Sequence, residues 1–113
     1  MGYPLFYWPS NTKITTVNAS VPLSTAVTPT LTSPVRAGIA WSAAGRSIAN
    51  NGGTVATDAN PFSSAAVTGA YLGVGNGGAL YWLSGHIASA AFYNSRLPDA
   101  TLQTKSVVGA SYQ

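Results

Sequence analysis

The sequence predicts an all-β fold, an antiparallel sandwich with one short C-terminal helix, and three features predict it. Asn50-Asn51-Gly52-Gly53 and Asn76-Gly77-Gly78 are turn compositions that tolerate left-handed backbone, each set beside a short β-type run. Val35, Ala37, Ile39 and Trp41 alternate with smaller or polar residues, the period of a half-buried strand. Leu97-Pro98-Asp99 then opens a helix within about residues 98 to 107, with proline at the first turn and an acid at the positive helix end.

Taken in order, the 113 residues divide in two. Residues 1 to 34 read as a Pro/Thr-rich extended arm and hold five of the seven prolines, Pro4, Pro9, Pro22, Pro29 and Pro34. Proline lacks the ladder donor, so the arm can supply only short edge strands, with Lys13 to Val17 and Leu23 to Val27 the best segments. Its opening carries Tyr3, Phe6, Tyr7 and Trp8, an apolar cluster of the kind that marks contacts. Two readings stay open: these aromatics anchor in a partner chain, or they fold back over their own sandwich.

Residues 35 to 113 read as the sandwich domain. Val35 to Trp41, Gly45 to Ala49 and Thr54 to Thr57 form successive strands, the last two joined by the Asn50–Gly53 turn. Asp58 to Pro61 is a turn and Phe62 to Gly69 a loop. Tyr71 to Gly75 is a short strand before the second glycine turn. Ser84 to Tyr93, free of proline, is the expected central strand, with a bulge near Ala88-Ser89 that shifts Ile87 and Phe92 into phase. The expected core is Val35, Ala37, Ile39, Trp41, Ile48, Val55, Leu72, Val74, Ile87, Ala90, Phe92, Leu97 and Leu102.

Charged residues make up 6% of the chain, against about 25% in ordinary globular domains. A freely diffusing protein uses surface charge to keep its neighbours apart, whereas one packed into an assembly has no such need. The net charge of +3 comes from Lys13, Arg36, Arg46, Arg96 and Lys105, scattered along the chain. No basic stripe forms, which argues against a nucleic-acid partner. Cysteine is absent, so neither a disulfide framework nor a thiolate metal site is available. No apolar run is long enough to span a membrane, and the first residues do not resemble a signal peptide.

The inventory for catalysis is short: two Asp, one His, and neither Glu nor Cys. A glycosidase needs two carboxylates at a set separation, and Asp58 with Asp99 form the sole pair. Ser84 and His86 occupy alternate positions of one strand, which does not make a triad. Asp58, Asn60 and Asn76 could offer oxygen to calcium, but ordinary turn chemistry explains them, and no metal or other cofactor is expected. Gly73 to Gly78 lacks the lysine and following helix of a phosphate loop.

The stretch from Leu83 onward, with Gly85, Ile87, Ala90, Phe92, Tyr93, Asn94, Leu97, Asp99 and Leu102, resembles the C-terminal part of concanavalin A-like (laminin G-like) jelly-roll domains, in particular those of bacteriophage structural proteins. The run Arg36 to Asp58 resembles the hairpin that precedes it in that family, and together the likeness covers about residues 35 to 106. Pro98 departs from the pattern, where a capping serine is common. The resemblance implies a shortened jelly roll. Joined to the charge-poor composition, it implies a non-enzymatic virion protein, assembled in bacterial cytoplasm and carried on the particle. A capsid decoration or cementing protein, or a small tail or fibre component, fits, with other virion proteins and further copies of itself as partners. The alternative it implies is a lectin-like carbohydrate-binding module, with Tyr81, Trp82 and Asn76 forming the glycan surface.

Overall fold

A computed structural model of the chain describes residues 5–7, 13–18, 21–29, 34–61 and 87–109. The described residues form two small antiparallel sheets and one short helix, in agreement with the all-β class.

The first sheet is a meander of three strands, β1 (Leu5–Tyr7), β2 (Thr15–Asn18) and β3 (Val21–Ser24), in that spatial order. Its strands are three or four residues long. Pro22 sits in β3, a terminal strand of the described sheet, where a missing ladder donor costs least. Thr15 and Ser24 oppose one another in register, and their hydroxyls hydrogen-bond at 2.8 Å. The Thr25 N–H donates to Ile14 O at 2.8 Å, carrying the pairing one step beyond β3.

The second sheet orders β4 (Ala37–Ser42), β5 (Gly45–Asn50) and β6 (Ala56–Asp58). All six residues of β5 are buried, as befits a central strand covered on both faces. The turn after β5 has the left-handed backbone its composition implies: Asn51 has φ 50° and Gly52 φ 75°. Asn51 also closes the turn onto β4, its N–H donating to Arg36 O while its side-chain oxygen accepts from the Arg36 N–H, both at 2.8 Å.

Successive residues of β5 point to opposite faces, and each face meets a different layer. Ser47 and Ala49 face the helix α1 (Asp99–Lys105), where Ala40, Ala49 and Leu102 form a buried apolar cluster with Val55 against it. Gly38 on β4 makes room for this docking: a Cβ there would lie 2.7 Å from Leu102 Cδ1. Arg46 and Ile48 point the other way, and β3 lies against β5 and β6. Val27 continues that contact beside Gly53.

The helix starts after Pro98, as expected, but without a side-chain cap. Asp99 sits in its first turn and directs its carboxylate to Ser47 instead. At the other end Ser106 is buried, accepts from the Gly52 N–H at 3.0 Å and donates to Gln103 O at 2.7 Å. Gln103 Nε2 donates to Gly52 O at 3.0 Å, so the helix is tied to the turn by two side chains.

One expected element is corrected. Residues 87–93, the larger part of the anticipated central strand, take up no strand, and their side chains are exposed; Ser84 to His86 lie outside the described residues. Ile87 and Phe92, placed in the core by the alternation pattern, are 48% and 72% exposed, and Ala90 is exposed as well. The physical reason is that an apolar alternation records the ability to pair, not the presence of a neighbour. Ile48 and Leu102 are buried, and Val35, Ala37, Ile39, Trp41, Val55 and Leu97 are half-buried. Leu72 and Val74, with the strand and glycine turn around them, lie outside the described residues.

Candidate functional site

The most completely built polar site lies on β5, at the face turned toward the first sheet. Arg46 and Asp58 are directly opposed in register. Arg46 Nε donates to both carboxylate oxygens, at 3.0 and 3.2 Å, and Nη2 donates to Oδ2 at 2.8 Å. Nη2 also donates to Val21 O at 2.8 Å, so one guanidinium joins β3, β5 and β6. Such forked, charge-assisted geometry is the strongest hydrogen bonding a carboxylate receives. The Arg46 side chain is 2% exposed and that of Asp58 27%, so the arginine is held inside while the carboxylate keeps a path to water. Arg46's hydrogen bonds hold the Asp58 carboxyl below the usual carboxylate range, outweighing the upward push of burial, and the Asn60 N–H at 3.1 Å adds to the lowering. Asp58 is thereby kept ionised and paired, which disqualifies it as a proton donor for glycoside cleavage. Its oxygens are also committed to a cation already present, which leaves Asp58 and Asn60 a poor start for a calcium site.

A second polar site joins the opposite face to the helix start. Ser47 Oγ donates to Asp99 Oδ1 at 2.6 Å and accepts from Arg96 Nη2 at 2.8 Å. Arg96 Nη1 donates to Gly45 O at 3.1 Å and Ser42 Oγ at 3.2 Å, and Arg96 and Asp99 form a longer ion pair at 3.8 Å. A serine between an acid and a base invites a catalytic reading, but Ser47 is fully buried. Arginine cannot serve as a base near neutral pH. The arrangement fastens the segment before α1 to β5.

Among the described residues, polar side chains share the interior with Ile14 and Ile48. Arg46, Asn50, Thr16, Thr25, Ser47 and Ser106 stand among the largest fully buried side chains, while Val21, Val27, Ile87, Phe92, Tyr93, Val107 and Val108 are exposed. Apart from Val21, the exposed apolar residues belong to two groups. Ile87 to Tyr93 forms one, and Val27 and Val107 flank the Gly52-Gly53 turn to form the other.

Of the residues singled out from sequence, Phe6 and Tyr7 lie on β1, their backbones in register with Thr16 and Thr15. Tyr3 and Trp8 lie outside the described residues, as do the glycan candidates Tyr81, Trp82 and Asn76, and His86. Sequence reasoning missed the Arg46 clamp, treating that residue as one of five scattered charges. A signal existed: a hairpin centred on Gly52 pairs position 46 with position 58, bringing opposite charges face to face. Among the described residues no cluster of three His, Cys, Asp or Glu side chains could hold a metal ion, and no helix is long and apolar enough to cross a membrane. In comparisons with known proteins, no family model, no curated protein and no solved structure matches the chain.

Proposed function

We propose that this chain is a non-enzymatic structural protein of a bacteriophage particle, acting through protein–protein contacts as a capsid decoration or cementing protein or a small tail or fibre component. The observation that carries the reading is an exposed apolar run: Ile87, Phe92 and Tyr93 face out, while Arg46, Asn50 and Thr16 are inside beside Ile14 and Ile48. A chain with 6% charged residues has little charge with which to keep that apolar run from its neighbours. Such patches mark interaction surfaces. The scaffold proposed is a shortened concanavalin A-like jelly roll. Support comes from the β4–β5–β6 sheet, the helix opening at Asp99 and the inward Leu102, which suit the likeness over residues 35 to 106. In that pattern the run through Phe92 is a strand, and contact with a neighbouring subunit would give it a partner.

The test is association with particles. The purified chain, mixed with phage heads and tails assembled without it, is expected to co-sediment with one of them at a saturating, fixed stoichiometry. Failure to bind either, together with absence of the chain from gradient-purified complete particles by mass spectrometry, would overturn the proposal.

A further inference from the structure

We infer that Asn51 is a self-modification site, an amide that is lost as ammonia when the C-terminal end of α1 lifts off the turn. This goes beyond the assembly reading and does not depend on it.

An asparagine followed by glycine is open to attack on its own side chain, because no Cβ on the next residue hinders the approach of the backbone nitrogen. Asn51-Gly52 is such a pair, and Asn51 is exposed. In the reaction the Gly52 nitrogen bonds to Asn51 Cγ, and the Cγ–Nδ2 bond breaks. Nδ2 leaves as ammonia with the proton of the Gly52 N–H, and a cyclic imide remains. Water then opens the imide at either carbonyl, leaving an aspartyl or an isoaspartyl residue at position 51.

The two reacting groups are held differently. The electrophile is poised: Asn51 Oδ1 accepts from the Arg36 N–H at 2.8 Å, which draws electron density from Cγ as an oxyanion donor does. The Asn51 N–H donates to Arg36 O at 2.8 Å, so this residue is tied to the chain entering β4 rather than to the helix. The nucleophile is withheld. The Gly52 N–H donates to Ser106 Oγ at 3.0 Å, and Ser106 is 1% exposed. Gln103 Nε2 holds Gly52 O at 3.0 Å, and Val107 covers the same glycine.

Positive φ at Asn51 and Gly52, with the Gly53 N–H on Asn50 O at 2.9 Å, makes a primed turn. Closing the imide requires rotation about the Asn51 Cα–C bond, which carries the Gly52 nitrogen off Ser106 Oγ. Docked, α1 therefore keeps the pair out of reacting geometry. The helix has seven residues, too few to be stable alone, so its contacts with the turn decide how often the latch opens. Conversion runs one way. It adds a carboxylate to a chain that has two Asp and no Glu. The isoaspartyl form also lengthens the backbone inside the turn, so the mark records time spent with α1 undocked.

The test incubates the full chain near neutral pH and reads Asn51 by peptide mapping and mass spectrometry, which separates it from the Asn76-Gly77 pair. In the folded chain, conversion at Asn51 is expected to be slower than in the urea-unfolded chain by roughly tenfold or more, following how seldom the latch opens. Ser106→Ala, shown to be folded by circular dichroism, is expected to recover most of that difference. Thr104→Ala, on the exposed side of the same helix, is expected to leave the rate unchanged. Equal rates in the folded and unfolded natural chain, or a folded Ser106→Ala as slow as the natural chain, would overturn the inference. Should Ser106→Ala not fold, the natural chain decides. In urea below its unfolding transition, conversion at Asn51 is expected to rise in step with hydrogen exchange of the Gly52 amide, and conversion that stays flat while that amide opens overturns the latch.

Discussion

Arg46 and Asp58 meet across one register position of the β5–β6 pair, and their contact is asymmetric: the arginine is buried and the aspartate reaches water. Breaking a buried pair costs most when the partner left behind cannot be hydrated. Asp58→Ala, which strands the guanidinium, is expected to cost about 3 kcal/mol or more. Arg46→Met leaves a carboxylate that water can solvate and is expected to cost about 1–2 kcal/mol. Urea titration of both variants checks the order, and Arg46→Met being the costlier would show that the aspartate is the one truly sequestered.

The same pair predicts an acid dependence. Asp58 has a lowered pKa in the folded chain, so its contribution is complete above the ordinary aspartate value of about 3.9 and is lost as pH falls through the lower folded value. Unfolding midpoints measured from pH 6 down to pH 2 should therefore fall more steeply for the natural chain than for Asp58→Asn. Parallel curves would mean that the carboxylate is no better held folded than unfolded.

Gly38 and Leu102 form a fitted pair, since the missing Cβ of one is the space filled by the other. Leu102→Ala is expected to cost about 2–5 kcal/mol through the cavity it leaves, and Gly38→Ala about 1–3 kcal/mol through crowding. Combined, they should cost clearly less than their sum, because the new methyl enters the vacated space. Strict additivity in a double-mutant cycle would show that the two do not touch.

Gly52 combines a positive φ with close quarters: a Cβ there would lie 2.8 Å from Val107 Cγ2. Gly52→Val is expected to destabilise by at least about 1 kcal/mol, whereas Asn51→Gly should be nearly neutral, both read by thermal unfolding. Equal effects would mean that the left-handed turn is not what glycine supplies.

Much of this is legible in the sequence. The Asn51-Gly52 turn, the strand before it and the helix opening at Asp99 follow from local chemistry, which a sequence displays most directly; the strand after the turn, expected at Thr54 to Thr57, lies at Ala56–Asp58. Residues 87–93 were misread for the opposite reason. Ile87, Ala90 and Phe92 have the residue types of a buried strand, but burial needs a neighbour that local pattern cannot supply. The polar sites were hidden differently again. Ser47, Arg96 and Asp99 are brought together by the docking of α1 on β5, across about fifty residues of chain, and no short spacing announces them.

Phe92 turns that correction into a measurement. At 72% exposure, Phe92→Ala should change stability by no more than about 0.5 kcal/mol. It is expected to weaken particle co-sedimentation, for which an exposed aromatic is a natural anchor. A large stability loss would show that the residue is covered after all, and unchanged particle binding would remove it from the contact surface.

The polar character of the buried layer also bears on how the fold responds to temperature. Exposing apolar surface raises the heat capacity of unfolding and exposing polar surface lowers it. Among the described residues, burying Arg46, Asn50, Thr16, Thr25 and Ser47 lowers that increment, while burying Ile14, Ile48 and Leu102 raises it. The polar part of that layer flattens the stability curve relative to an all-apolar layer of the same area, holding the fold's stability closer to constant between cold and warm surroundings.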